Sequence, residues 1–285
     1  MDNCVVTIRL FKTVKFALLI FGMLIGVFTS ACTLDTLDVQ STLPAQPDST
    51  VDSSVEPTAD SDGWQEIVIG LERRIVQVPD TRATLTILRI DPTFFTFRAH
   101  YTPGDALRMS QWQSELEGAT AFINTNFYDP ENRILGLLVA DGVIYGSAFT
   151  TRGGMFAVQN GVPTVRSNTL QPYQGEALEQ AVQAFPMLVL NGTQAYTNTA
   201  PDRTTFRSAI GQDTSGRVLF MVTSQGGLTL LQLSAFLAQS DLNLTNAFNL
   251  DGGGSTMLSV QGTPLDFDFS VFDPVPAVLA IYSRE

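Results

Sequence analysis

Between Thr33 and Asp62 the chain carries seven carboxylates and no basic or aromatic residue, and this interval fixes where a folded body can begin. Its Ser, Thr and Pro content leaves too little apolar surface to offset the entropy of ordering a backbone, so residues 32–62 read as a disordered acidic tether. Residues 63–285 remain, a stretch of 223 residues that is long enough to bury a sizeable core as a single domain. No internal repeat is visible in it.

Upstream of the tether, Arg9, Lys12 and Lys15 precede an uncharged run over residues 16–30 that ends in Thr29-Ser30-Ala31-Cys32. A basic start, an apolar middle and small residues before a cleavage point are the pattern of an export signal, here residues 1–31. The apolar run falls short of the ~20 residues a spanning helix needs, so a retained transmembrane anchor is the weaker reading. Cys32 stands where a bacterial lipid-attachment cysteine stands. Plain cleavage leaving Cys32 unmodified is the alternative, because Thr29 occupies a position where Leu is usual. The expectation is an exported cell-envelope protein, lipid-anchored to the outer face of a membrane through Cys32.

After residue 31 no second cysteine exists, so no intramolecular disulfide can form and the fold must rest on its core. The same stretch holds thirteen arginines, no lysine and 27 carboxylates, a net charge of −14. Phosphate backbones need clustered cations, so a nucleic-acid partner is disfavoured. With no lysine, no thiol in the folded part and His100 as the one histidine, Ser-His, Cys-His and Schiff-base arrangements largely drop out, as does a His-rich zinc site. Chemistry is left to carboxylates, arginines, amides and hydroxyls. His100 shares a strand face with Thr96 and Arg98, opposite Phe95, Phe97, Ala99 and Tyr101, and reads as a solvated or hydrogen-bonded surface residue.

Alternating β-branched and aromatic residues predict strands over 73–78, 84–90 and 94–101, with a turn at Asp91-Pro92. Further strands fit 121–124, 135–140, 143–145, 154–158, 187–190, 217–222, 246–250, 256–260 and 277–282. Asp141-Gly142 and Asn191-Gly192 have the composition of hairpin turns. Ser110 to Gln113 and Thr229 to Gln232 carry the spacing of capping boxes, each opening a helix, and a third helix is expected over 176–184. The predicted fold class is α+β: a single domain with a mixed, largely antiparallel sheet and a few packed helices.

Three stretches carry chemical interest. The most unusual is Asn249-Leu250-Asp251-Gly252-Gly253-Gly254-Ser255, between two predicted strands. Its glycines let main chain approach a ligand closely, and a strand ending in Asp251 would aim a carboxylate into the space they leave. The loop is not a phosphate-binding Walker loop, since Gly-Lys-Ser/Thr is absent. A glycine-rich hairpin with a capping aspartate is the plain alternative. A second stretch runs from Gly118-Ala119 along a buried strand into Asn124-Thr125-Asn126-Phe127-Tyr128-Asp129. A third, Arg207-Ser208-Ala209-Ile210-Gly211, opens a strand with a guanidinium whose planar fork suits carboxylate or phosphate oxygens, or an ordinary surface ion pair.

Together, and with Phe185-Pro186-Met187-Leu188-Val189-Leu190-Asn191-Gly192 between them, these stretches resemble the phosphodiester glycosidase family over about residues 84–282. Thr125 and Asn126 replace two glycines usual in that family, and Ser224-Gln225-Gly226-Gly227 stands where an Asp-Gly is often found. The resemblance implies a hydrolase that removes a sugar joined through its anomeric carbon to a phosphodiester. It implies that Arg207 takes the phosphate and that Asp251 acts as base or stabilises positive charge on the sugar. Asn124 and Asn126 would reach sugar or phosphate oxygens, Asn126 beside the catalytic pair. Asn249, Ser255 and the main chain of Gly252, Gly253 and Gly254 would line the same site, with Asp129 a second carboxylate or a turn cap. The expected partner is a carbohydrate or sugar phosphate. No metal or cofactor is expected, although Asp251, Asn249 and Asp129 offer oxygens that calcium accepts. Two other readings remain: a glycoside hydrolase using paired carboxylates, and a non-catalytic glycan-binding surface lipoprotein.

Overall fold

Residues 63–284 are described by a computed structural model; the signal at 1–31, Cys32 and the tether at 32–62 lie outside them. The alternating stretches become strands of three antiparallel sheets, numbered here in chain order. The first sheet runs, in spatial order, β1 (Gln65–Val68), β2 (Leu71–Gln77), β3 (Thr84–Ile90), β14 (Val218–Gln225), β13 (Ser208–Asp213), β15 (Leu244–Asn249), β11 (Met187–Leu190) and β12 (Thr193–Gln194). The second runs β7 (Val143–Gly146), β6 (Leu137–Ala140), β10 (Gln180–Ala184), β8 (Gly154–Gln159) and β9 (Val162–Ser167). The third runs β17 (Phe267–Ser270), β16 (Met257–Val260), β5 (Ala121–Asn124), β18 (Ala277–Ser283) and β4 (Phe95–Tyr101).

Period-two alternation sends successive side chains to opposite faces, and each sheet turns one face to a shared interior. Leu88, Phe220 and Phe248 of the first sheet, Phe156 and Val182 of the second, and Ile123, Leu258 and Leu279 of the third belong to this core. The opposite face of the first sheet, including Leu85, Ala209 and Leu219, packs on α2 (Leu230–Gln239) through Leu233 and Leu237. The opposite face of the third, through Phe122, Val278 and Ala280, packs on α1 (Met109–Glu115) through Trp112. Each fully buried side chain of this size contributes about 2 kcal/mol, so the core alone holds the fold without a disulfide.

Only two α-helices occur among the described residues, so the α+β expectation is corrected to a mostly β domain. Where a helix is expected over 176–184, residues 176–179 join no helix or strand and Gln180–Ala184 form β10. The apolar residues of the interval recur at helical spacing, but all five positions of the strand are buried, which removes the polar alternation that marks a half-exposed strand. The Thr229 cap of α2 is as the sequence predicts, with the Gln232 N–H donating to Thr229 Oγ1 and the Thr229 N–H donating to Gln232 Oε1. For α1 the cap shifts to Arg108, whose N–H donates to Gln111 Oε1 at 2.9 Å. Both hairpins form, with Asp141, Gly142, Asn191 and Gly192 all at positive φ as tight two-residue turns require. His100 lies on β4, where its Nε2 is 3.0 Å from the Tyr282 hydroxyl and burial pushes its pKa down.

Candidate active site

The first and third sheets meet where β13 begins and where β5 and β15 end. Beyond β15, Asp251 N–H donates to Thr125 O at 2.9 Å, so the chain leaving the first sheet is caught by the chain leaving the third. The loop then turns through a short 3₁₀ segment, Gly253–Ser255, before entering β16. Two of its glycines are required by the main chain. A Cβ on Gly252 would lie 2.8 Å from Phe206 O, and Gly253 adopts φ +63°. Bare main chain therefore forms part of the lining of a cavity of about 820 Å³.

Arg207 and Asp251 both line this cavity, 44 positions apart in the chain, and no ion pair or hydrogen bond joins them among the described residues. The guanidinium is almost wholly buried and firmly held. Nε donates to Leu228 O at 2.8 Å, and Nη2 donates to Asp202 Oδ2 at 2.9 Å and Arg203 O at 2.7 Å. Nη1 has no acceptor among the described residues, leaving one edge of the fork for an anion. Burial pushes the Arg207 pKa down while the Asp202 charge opposes it. Both sequence readings of Arg207 therefore meet in one geometry: an ion pair that also fixes a cavity-facing cation.

Asp251 keeps part of its surface on the cavity while protein closes around the rest. Burial pushes its carboxyl up to about 6, and the nearby Asp273 charge adds to the rise. Hydrogen bonds from the Ser255 side chain and from the Gly252 N–H, the latter at 3.0 Å, offset part of it. Ser255 itself is buried, 3.1 Å from the Tyr128 hydroxyl, which donates to Pro274 O. Asn249 lines the cavity; its Nδ2 donates to Phe185 O and Leu250 O, and its Oδ1 has no donor among the described residues.

Ser255, buried behind the loop, does not line the cavity, and three more expected site residues are placed elsewhere. Asn124 is fully buried, with every hydrogen-bonding atom committed: Nδ2 donates to Asp251 O at 2.7 Å, while Oδ1 accepts from Ser208 Oγ and Met257 N. Asn126 turns away from the cavity and donates to Leu135 O and Leu137 O, tying the β5 exit to the start of β6. Both amides are thus bound to the fold, and neither lines the cavity. Asp129 borders a separate concavity, where its carboxyl accepts from the Glu131 and Arg133 main chain and pairs with Arg133 Nε at 2.8 Å. Those bonds hold its pKa below the usual carboxylate range, and they make it a turn cap.

Sequence reasoning passed over Asp202 and Asp273. Asp202 takes the Arg207 guanidinium and also the Leu230 N–H at the start of α2, at 2.7 Å. Asp273 stands over Gly254 on the cavity wall. Neither sits in a motif, so nothing local could have singled it out. A further concavity of about 520 Å³ around Arg98, Asp141 and Glu179 holds none of the expected site residues.

Known proteins are similar to this chain in fold and in sequence. The described body resembles the catalytic domain of zebrafish N-acetylglucosamine-1-phosphodiester alpha-N-acetylglucosaminidase auto-inhibited by pro-peptide, with a TM-score of 0.59 at 20% identity over 75% of this chain and 84% of that one. It also resembles a hypothetical protein from Synechocystis, with a TM-score of 0.52 at 16% identity over 78% of this chain and 62% of that one. At such identities the likeness is one of fold. In sequence, 61 residues are 41% identical to mouse N-acetylglucosamine-1-phosphodiester alpha-N-acetylglucosaminidase, a match spanning 20% of this chain and only 11% of the mouse protein. The family profile described as phosphodiester glycosidase matches residues 117–282, more than half of the chain and the part that contains Arg207, Asp251 and the glycine loop. The chain belongs to the phosphodiester glycosidase family.

Proposed function

We propose that this chain is a hydrolase that removes a sugar from a sugar-1-phosphodiester, leaving a phosphomonoester. The observation that carries the reading is that Arg207 and Asp251 line one cavity without touching each other, leaving space for a substrate between a cation and a carboxyl. In such a reaction the bond from the anomeric carbon to the phosphate oxygen breaks. The leaving phosphomonoester has a second ionisation near pH 6, so it needs charge stabilisation more than a strong proton donor. Arg207 supplies the charge through its free Nη1 edge. Asp251, titrating at about 6, is matched to the leaving oxygen and serves as its proton donor. Its buried setting favours the neutral form, which moves the role from base toward acid. The loop main chain of Gly252, Gly253 and Gly254 lines the same cavity and lets substrate oxygens approach closely.

The test is a hydrolysis screen of sugar-1-phosphodiesters beside the matching nitrophenyl glycosides, with Asp251→Asn as control. Turnover of a phosphodiester, reduced at least ~100-fold in the variant, is the expected result. Faster turnover of the plain glycoside would move the substrate class to ordinary glycosides, and binding without turnover would favour a glycan-binding lipoprotein. Export and lipid anchoring through Cys32 belong to the same proposal, supported by the pattern of residues 1–32. Membrane fractionation of a Cys32→Ser variant tests it, with release into the soluble fraction expected.

A further inference from the structure

The carboxylates around the cavity differ in how they are used. Asp202 is shared between Arg207 and the α2 N-terminus, and Asp251 accepts from Gly252 and Ser255. Asp273 alone among these three has a carboxylate with no hydrogen-bond or ion-pair partner among the described residues. Its main chain, by contrast, is pinned. The Asp273 and Phe272 N–H groups both donate to Gly254 O, at 2.9 and 3.1 Å, and the next two residues are held by Tyr128 and by Leu107. The side chain lies so close over Gly254 that a Cβ there would come 1.9 Å from Asp273 Oδ2. A fixed backbone carrying a free, solvent-exposed carboxylate on the wall of a reaction cavity is costly ornament for a surface residue, since its charge also burdens the buried Asp251.

We propose that Asp273 is a catalytic residue that takes the proton from the water attacking the anomeric carbon. The inference rests on the phosphodiester reading above. An O–H bond of water breaks with its proton passing to the Asp273 carboxylate, and the water oxygen bonds to the anomeric carbon. The bond from that carbon to the phosphate oxygen breaks, its electron pair staying on the oxygen, which Asp251 protonates beside Arg207. The products are the free sugar and a phosphomonoester. Asp273 then returns its proton to solvent and Asp251 regains one, so no oxidant or further reactant is needed. Two carboxyl groups in unlike settings, one closed in by protein and one open to water, divide into acid and base by their surroundings.

The experiment measures kcat from pH 4 to 8 for wild type, Asp251→Asn, Asp273→Asn and Asp273→Ala on the phosphodiester hydrolysed fastest by the wild type, with azide added to the alanine variant. Asp273→Asn should lose at least ~100-fold in kcat at every pH with an unchanged melting temperature, because the side chain is exposed. Azide should raise the rate of Asp273→Ala and yield the glycosyl azide, since an anion needs no base to attack. An Asp273→Asn protein within about tenfold of wild-type kcat at its own optimum, or an alanine variant indifferent to azide, overturns the proposal. Loss in Asp251→Asn with retention in Asp273→Asn sinks this inference and leaves the phosphodiester reading standing. A wild type inert toward every phosphodiester sinks both.

Discussion

Asn124 donates from Nδ2 to the main-chain carbonyl of Asp251 at 2.7 Å, and its Oδ1 accepts from both Ser208 Oγ and Met257 N. One buried amide thereby joins β5 to β13, to β16 and to the loop that carries the site carboxyl. An amide is suited to this place because its nitrogen donates from one atom while its oxygen accepts two hydrogen bonds at another.

Replacing Asn124 should therefore cost both fold and loop geometry. Asn124→Ala strands a buried carbonyl and a buried N–H, for a loss of about 3 kcal/mol measured by urea unfolding. Asn124→Asp keeps the size but faces the Asp251 carbonyl with a second acceptor. It should speed hydrogen exchange at the Gly252 and Gly253 amides and lower kcat. Unaltered exchange there would mean that the loop stands without the amide.

Arg207→Lys should not act as a conservative change. The guanidinium spans Leu228 O, Asp202 and Arg203 O at once, a fork that one ammonium on a flexible stem cannot reproduce. The expected result is a lower melting temperature and a fall in kcat/KM on the order of 100-fold for a phosphodiester. A nitrophenyl glycoside of the same sugar, which carries no phosphate, should lose much less. Equal losses on the two substrates would place Arg207 in the scaffold alone.

Asp251 should make stability fall as pH rises. Its folded carboxyl titrates at about 6, against 3.8 as the ordinary value, so the native state holds a proton that the unfolded chain has already released. Stability is then full below pH 4, declines between pH 4 and 6, and stays reduced above, by on the order of 2–3 kcal/mol. Asp251→Asn cannot ionise and keeps an oxygen for the Gly252 N–H. Its melting temperature relative to wild type should rise across that window and level off above pH 7. A difference that stays constant with pH would show that the carboxyl is not penalised by burial.

These residues also show how far the sequence alone reaches. A strand with one more exposed face, such as β4, announces itself by alternation. β10 does not, because Gln180 and Gln183 are drawn inside to serve main chain: Gln183 Oε1 accepts from Leu137 and Phe149, and Gln180 Oε1 accepts from Ala99. Arg207 and Asp251 were legible because each sits in a local motif. The direction of Asn124 and Asn126 was not, since it depends on which carbonyls of distant strands come near. Asp273 was hidden among Asp266 and Asp268 in one short stretch. Only the fold separates them: Asp266 caps a turn at Thr263, Asp268 binds Ser259 and Gln113, and Asp273 reaches the cavity.

The adjacent glycines Gly253 and Gly254 should respond to alanine in opposite ways, because one is required for its backbone angle and the other for space. At Gly253 a methyl group would meet only Thr205 Oγ1, at 3.5 Å, but the residue sits at φ +63°. Gly253→Ala should cost about 1 kcal/mol of stability with kcat little changed. At Gly254 the methyl would collide with the Asp273 carboxylate while the Gly254 carbonyl still holds the Phe272 and Asp273 amides. Gly254→Ala should therefore swing the carboxylate aside and lower kcat as far as Asp273→Asn does. The double variant, Gly254→Ala with Asp273→Asn, should be no slower than either single one, since both remove the same group from the same place. Multiplying losses would instead mean that the glycine contributes through its own main chain, and kinetics of the four proteins on one substrate decide between the two.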